Sequence, residues 1–226
     1  MSKEQIISQL KSYANPKNVE GMARFGINPT NTLGVNIPTL RKIAKEIGND
    51  HKLAKELWDT RIHEARILAS FIDDHKLVTA NQMDDWVNDF DSWDVCDQVC
   101  GNLFDKTPFA LKKAVQWSKN KKEFVKRAGF VMMAAFAVHN KKLNDRDFSN
   151  FFPLIKRESV DGRNFVKKAV NWALRKIGKR NKRLSVKAIK VAKEIQRTDS
   201  KSARWIATDA LRELRSTKFK SSTIGR

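Results

Sequence analysis

Between Phe130 and Val138 the chain runs through nine consecutive apolar residues. The run is far too short to cross a bilayer, which needs about 20 such residues. As a helix it offers water no polar face, so it must be covered on all sides. It is therefore expected to be a central helix, with Arg127 just ahead of it bringing a guanidinium out at the mouth of a groove.

The rest of the chain repeats the helical period. Leu40, Ile43, Ala44 and Ile47 fall at i, i+3, i+4 and i+7. Asn36, two places ahead of Pro38, marks the start of that helix and Gly48 its end. Thr79 and Ser92 read as caps of the next two helices, and Pro108 falls where the first turn of another belongs. No alternating run suggests a strand. Short patterns recur: Phe124 to Ala128 resembles Phe165 to Ala169 at an offset of 41, and Ala173-Leu174-Arg175 resembles Ala210-Leu211-Arg212 at an offset of 37. Periods near ~40 residues point to HEAT-type units that stack into an α-solenoid with one concave face, although helical chains also repeat short patterns by chance. The expectation is an all-α fold of HEAT-like repeats, about a dozen helices, forming one domain over 1–215 with a basic tail at 216–226.

Charge narrows the partner. Of a formal net charge of +20, residues 161–226 supply 20 Lys and Arg against 5 Asp and Glu. A charge so concentrated needs a polyanion or an acidic surface, and a concave basic groove gripping a phosphate backbone is the expected form. Met1 to Gln5 leads into an amphipathic stretch rather than an apolar leader, so a cytoplasmic protein is expected, nucleoid-associated when bound to DNA, with no membrane partner. Cys96 and Cys100 read as small buried apolar residues in a reducing compartment. His51, His63, His75 and His139 show no ligand spacing and read as surface or helix-end residues. No metal and no cofactor is expected, and the chain is read as a monomer.

Two elements could carry chemistry. Asp91-Ser92-Trp93-Asp94-Val95-Cys96-Asp97 lies in a stretch without Lys or Arg between Lys76 and Lys106. On a helix capped by Ser92, Trp93 and Asp97 share a face, so an indole lies beside a carboxylate, while Asp94 lies in the first turn, where the helix dipole favours it. The plain alternative makes Trp93 core, Asp94 a dipole partner and Asp97 a solvated acid. The second element is Trp172, between Lys168 and Arg175. It is either a nucleic-acid contact flanked by phosphate donors or a core tryptophan under snorkelling cations.

These residues together resemble the DNA alkylation repair glycosylases of the AlkD type. The likeness runs through Asn15-Pro16, Met22 to Phe25, Leu33-Gly34-Val35 with Pro38 and Arg41, Glu56-Leu57-Trp58, Ser92 to Asp97, Lys126-Arg127-Ala128 and Phe165 to Arg175. The resemblance implies a fold of HEAT-like repeats and a base-excision activity on double-stranded DNA: hydrolysis of the N-glycosidic bond of purines made cationic by alkylation at N3 or N7. It assigns Trp93, Asp97 and Trp172 to the catalytic cleft, and Arg127 and Arg175 to the DNA backbone. Lys168 and Arg204, on the repeating basic helices, are the further expected DNA contacts. A cationic base is already a good leaving group. One carboxylate can then oppose the charge developing on the sugar and hold the attacking water, and the indoles can wall the site.

The segment after Arg24 departs from the pattern. Gly21, Gly26 and Pro29 would weaken or shorten the helix there, and Phe25 stands where active members carry a tyrosine. That leaves a second reading, a DNA-binding paralogue that recognises DNA structure without base excision. A third, a protein-interaction scaffold, would need an acidic partner for the C-terminal charge.

Overall fold

The computed structural model describes residues 1–216, and every regular element among them is helical: fourteen α-helices and one 3-10 turn. The tail expected at 216–226 lies outside the described residues, apart from Ser216, which closes the last helix. The residues group into two compact units, Met1–Lys112 and the residues from Lys113 on. No helix among the described residues is long and apolar enough to cross a membrane.

The N-terminal unit holds α1 (Lys3–Ser12), α2 (Pro16–Arg24), α3 (Ile37–Ile47), α4 (His51–Asp59), α5 (His63–Ile72), α6 (Ala80–Asn88) and α7 (Trp93–Asn102), followed by the 3-10 turn Phe104–Lys106. The unit boundary falls in α8 (Ala110–Trp117). The C-terminal unit holds α9 (Glu123–His139), α10 (Asp145–Ser149), α11 (Phe152–Glu158), α12 (Asn164–Lys179), α13 (Lys182–Gln196) and α14 (Lys201–Ser216). Helix starts follow side-chain chemistry. Asn15, Asn36, Asp50, Thr79 and Asn181 each accept a backbone N–H of the first turn, satisfying a donor the helix itself cannot. The starts expected at Asn36 and Thr79 are borne out, as is the stop at Gly48, whose φ of 75° suits glycine.

Each unit is built round one buried helix. In the C-terminal unit it is α9, buried from Arg127 through Ala137, as the unbroken apolar run requires; burial ends at Val138, which is 44% exposed. Helix α12 packs on α9, and α13 and α14 pack on α12. In the N-terminal unit it is α5, buried at all but one of its positions, with α3, α4 and α7 against it. Sequence did not single out α5, because His63, Glu64 and Arg66 break its apolar pattern.

Cross-helix ties reveal the repeat. In the C-terminal unit Arg127 Nη1 donates to the Phe165 carbonyl, Lys156 Nζ meets Glu194, Lys187 Nζ donates to Ser149 Oγ and Arg175 meets Glu213, each pair 38 residues apart. Equivalent positions of successive repeats therefore touch, and α9, α12 and α14 run parallel. Gly178 permits the closeness: a Cβ there would lie 2.6 Å from Leu214 Cδ2 and 2.8 Å from Ala188 Cβ. In the N-terminal unit the Trp58–Asp89 and His63–Asp94 ties are 31 residues apart. The offsets of 41 and 37 read from sequence bracket the C-terminal period, but the N-terminal repeats are shorter.

Glu64 fixes the longest non-helical stretch of the N-terminal unit. Its carboxylate, fully buried, accepts the backbone N–H groups of Leu33 (2.9 Å), Gly34 (2.6 Å) and Val35 (3.2 Å). Gly34 has φ +79°, and a Cβ on it would lie 2.3 Å from the Asn15 carbonyl oxygen, so only glycine fits where the chain crosses the start of α2. Replacing Glu64 with Ala strands three donors, each costing about 1–3 kcal/mol if left unpaired. We expect Glu64→Ala to lower unfolding stability by about 3–5 kcal/mol in urea titrations, with Glu64→Gln milder because it keeps one acceptor. A loss below about 1 kcal/mol for Glu64→Ala would remove Glu64 from this role.

Candidate nucleic-acid interface

Helix α7 carries the acid-and-tryptophan element. Its rear face, Val95, Cys96, Val99 and Cys100, is buried. Trp93, Asp94, Asp97 and Gln98 are half-buried on its other side. Trp93 and Asp97 stand one helical turn apart on that side, both part-buried, so Trp93 is not a core residue and Asp97 is not a fully solvated acid. Burial pushes the Cys100 thiol up, and its hydrogen bond to Cys96 and the charges of Cys96, Asp97 and Asp105 push the same way. Both cysteines are buried thiols, in line with their reading as apolar residues.

The segment 25–32 is stitched onto the start of α7. Trp93 Nε1 donates to the Phe25 carbonyl at 3.1 Å. The Asn28 N–H donates to Ser92 Oγ at 2.9 Å, and Asn28 Nδ2 to Asp91 Oδ2 at 2.7 Å. The His63 N–H donates to the Asn31 carbonyl at 2.9 Å. Ser92 does stand at the N-cap position of α7, but its hydroxyl makes no cap bond; it serves the incoming loop instead. The turns that sequence flagged are real, with φ of 77° at Gly26 and 56° at Asn31. Helix α2 ends at Arg24 and contributes no buried residue, and the Phe25 ring is left 75% exposed.

Asp94 does more than answer the helix dipole. Its Oδ2 lies 2.8 Å from His63 Nε2. This corrects the reading of His63: it does begin a helix, α5, yet it is 5% exposed and is no surface residue. Burial alone pulls the His63 pKa down. The hydrogen bond and charge of Asp94, with the charges of Glu64 and Asp91, outweigh burial and leave it raised. His51 makes a similar contact with Asp73, whose carboxyl burial pushes up against the hydrogen bonds of His51 and Gln82.

The C-terminal unit carries the basic element and the second indole. On α12 Trp172 is half-buried and Lys168 exposed; on α14 Arg204 is exposed and pairs with Asp199 at 3.1 Å. Two expected DNA contacts are otherwise engaged. Arg127 does not emerge at a groove mouth. It is 5% exposed and donates to the Phe165 carbonyl at 2.7 Å, because its position in the repeat faces α12 rather than solvent. Arg175 meets Glu213, and its Nε lies 3.6 Å from Asp209. Lys179 Nζ lies 2.7 Å from the same Glu213. Burial would raise the Glu213 pKa, but the hydrogen bonds of Lys179 and Arg175 hold it below the ordinary carboxylate value. Sequence missed these acids, although the signal was present: Glu213 stands one repeat beyond Arg175. It also missed Asn28, His63 and Glu64, whose partners lie too far along the chain for any spacing rule. Trp93 and Asp97 belong to one unit, and Trp172, Lys168, Arg127, Arg175 and Arg204 to the other. Among the described residues no group of three His, Cys, Asp or Glu side chains could hold a metal ion.

The sequence model described as DNA alkylation repair enzyme matches residues 6–214. A solved structure is similar with a TM-score of 0.79 at 20% identity, over 94% of this chain and 95% of the other. It is described as a new family of proteins related to the HEAT-like repeat DNA glycosylases, with affinity for branched DNA structures. At that identity the likeness establishes the HEAT-like repeat fold. No curated protein matches the sequence.

The His63–Asp94 contact has a pH signature. A folded pKa raised above the ordinary imidazole value of about 6.5 contributes stability that is fully present below about 6.5 and lost as pH rises through the folded value. His63→Gln should therefore cost about 2 kcal/mol at pH 5.5, where a charged hydrogen bond is lost, and about 1 kcal/mol at pH 9, where a neutral one is lost. Urea titrations of both proteins at the two pH values measure the difference. An equal cost at both would mean that the imidazole does not titrate in the folded protein.

Proposed function

From the premise that this chain belongs to the DNA alkylation repair enzyme family, we propose that it is a DNA glycosylase acting on purines alkylated at N3 or N7 in duplex DNA. The observation that carries this reading is the half-buried indole–carboxylate face of α7, held by an interlocked loop within a stretch free of Lys and Arg. A carboxylate kept in a strongly basic, DNA-handling protein costs binding unless it meets a cation, and the sugar of a departing alkylpurine is one.

In this reading the bond from C1′ to the purine nitrogen breaks, and its electron pair neutralises the cationic ring. No acid is needed at the leaving group. Asp97 opposes the positive charge developing on the sugar, orients a water toward C1′ and accepts that water's proton as the new C–O bond forms. Trp93 supplies an apolar, electron-rich wall, and the family resemblance assigns Trp172 the same role. The N–H of Trp93 is already committed to the Phe25 carbonyl, which sets the plane of its ring. Lys168 and Arg204 take phosphates. Arg175 takes one by leaving Glu213, which Lys179 still neutralises. Arg127 locks α9 to α12 and so fixes the helix that carries Lys168 and Arg175.

A second reading, DNA binding without excision, is favoured by α2 and the turn that follows. The helix has no fully buried residue and stops at Arg24, and Phe25 has no hydroxyl to offer. The similar structure with affinity for branched DNA fits it as well.

Base release from methylated duplex DNA decides between the two. The wild type should release 7-methylguanine or 3-methyladenine, and Asp97→Asn should lower the rate by at least about 100-fold while changing duplex affinity less than about twofold. Wild-type protein that binds DNA and releases neither base would leave the second reading standing. Affinity carries its own check. Glu213→Gln weakens the competitor for Arg175, so duplex binding should tighten and its salt dependence steepen by about one phosphate contact, a slope change near 0.9. An unchanged slope would show that Arg175 does not reach DNA.

A further inference from the structure

Trp205 is the feature of the C-terminal unit that the proposed chemistry does not use. It stands on α14, is 41% exposed and is flanked on its own helix by the exposed cations Lys201, one turn before it, and Arg204. Lys167 Nζ sits 4.9 Å from the centre of its ring. Lys167 and Trp205 are one repeat apart, on the same parallel register that pairs Arg175 with Glu213. The Asn171 amide, 1% exposed, locks that register by donating to the Ile206 carbonyl at 3.1 Å. The indole is thus held on a rigid pair of helices and is not a loop residue that happens to face water.

We propose that Trp205 and Lys167 form a stacking platform for an unpaired nucleotide, so that the protein favours DNA in which single-stranded and duplex segments meet. A nucleotide offers a flat π-face and an anionic phosphate together, and this pair presents an indole and an ammonium in the matching arrangement. The remaining cations around it follow a backbone. Bases within an intact duplex are already stacked on one another and have no face to give, so the platform discriminates by pairing state and not by sequence. Arg204 does not block the approach. Its carboxylate partner Asp199 is fully exposed, and such a surface pair yields readily to phosphate.

The inference rests on the DNA-binding part of the proposed function and is independent of excision. It is tested by titrating the full chain, at fixed salt, with a blunt duplex and with the same duplex bearing a short single-stranded overhang that carries 2-aminopurine. The wild type should prefer the overhang substrate by on the order of tenfold, as one base–aromatic stack supplies, and should quench the 2-aminopurine. Trp205→Ala should lose both the preference and the quenching while its blunt-duplex affinity changes less than about twofold. Trp205→Phe should keep most of each. Helical content measured by circular dichroism confirms that the variants fold, as an exposed position allows. Equal affinity of the wild type for the two substrates, or quenching that survives in Trp205→Ala, overturns the platform and leaves the DNA-binding reading intact. Failure of the wild type to bind either substrate at low salt overturns both.

Discussion

Helices of five to seventeen residues cannot bury their own apolar faces, so each exists here only because neighbours cover it. The constraint is sharpest at α9, which has no side to give to water and must be enclosed. Enclosure by itself would allow many registers. What selects one is the polar groups taken inside with the apolar ones. Arg127 has its partner at the Phe165 carbonyl and Asn171 at the Ile206 carbonyl, and sliding either helix by a residue would strand a buried donor. In the N-terminal unit His63, Glu64 and Arg66 do the same for α5, meeting Asp94, the Leu33–Val35 backbone and Asp89. Hydrophobic burial drives the stacking, and these few satisfied polar groups make it specific.

The candidate site follows from that division of labour. Helix α7 commits its rear face to the core and so has a fixed orientation, leaving Trp93 and Asp97 together on its outer side. The loop before α3 is pinned from below by Glu64 and from the side by Asn28, Ser92 and the Trp93 indole. The same loop that ends α2 early therefore also sets the Trp93 ring. Trimming in this segment and orientation of the site are one structural fact, which explains how a short N-terminal helix can coexist with a well-built indole–carboxylate face.

Much of this was legible in the sequence wherever the information is local. The burial of Phe130 to Ala137, the caps at Asn36 and Thr79, the shared face of Trp93 and Asp97 and the apolar character of Cys96 and Cys100 depend on helical periodicity and first-turn chemistry, both readable within a few residues. Burial of a polar side chain is not local. His63 and Arg127 look like ordinary helix-end and surface residues until their partners, 31 and 38 residues away, are known. The repeat offset was the bridge available, but an offset of 37 carries Arg175 to Arg212 and one of 41 to Ser216, either side of Glu213. Sequence similarity marked offsets of 41 and 37, whereas the ties of Arg127 and Arg175 span 38 residues and those of Asn171 and Arg180 span 35 and 40, so no single offset finds them all.

The acids on α14 answer a problem that the basic charge creates. Helices α12 and α14 lie parallel and carry nine of the twenty Lys and Arg of residues 161–226, and like charges held side by side oppose folding. Asp209 and Glu213 sit between them and neutralise Arg175 and Lys179 in the absence of DNA. A phosphate arriving at Arg175 replaces one anionic oxygen with another, so the exchange gains less than a fresh ion pair would. The unit thereby trades some affinity for a folded state that does not depend on DNA. In the proposed reading the protein must leave each undamaged stretch of duplex to examine the next, and moderate backbone affinity suits that task. On that reading discrimination falls to the groups proposed to answer to the state of a base, the indole–carboxylate face of α7 and the aromatic surface of α14.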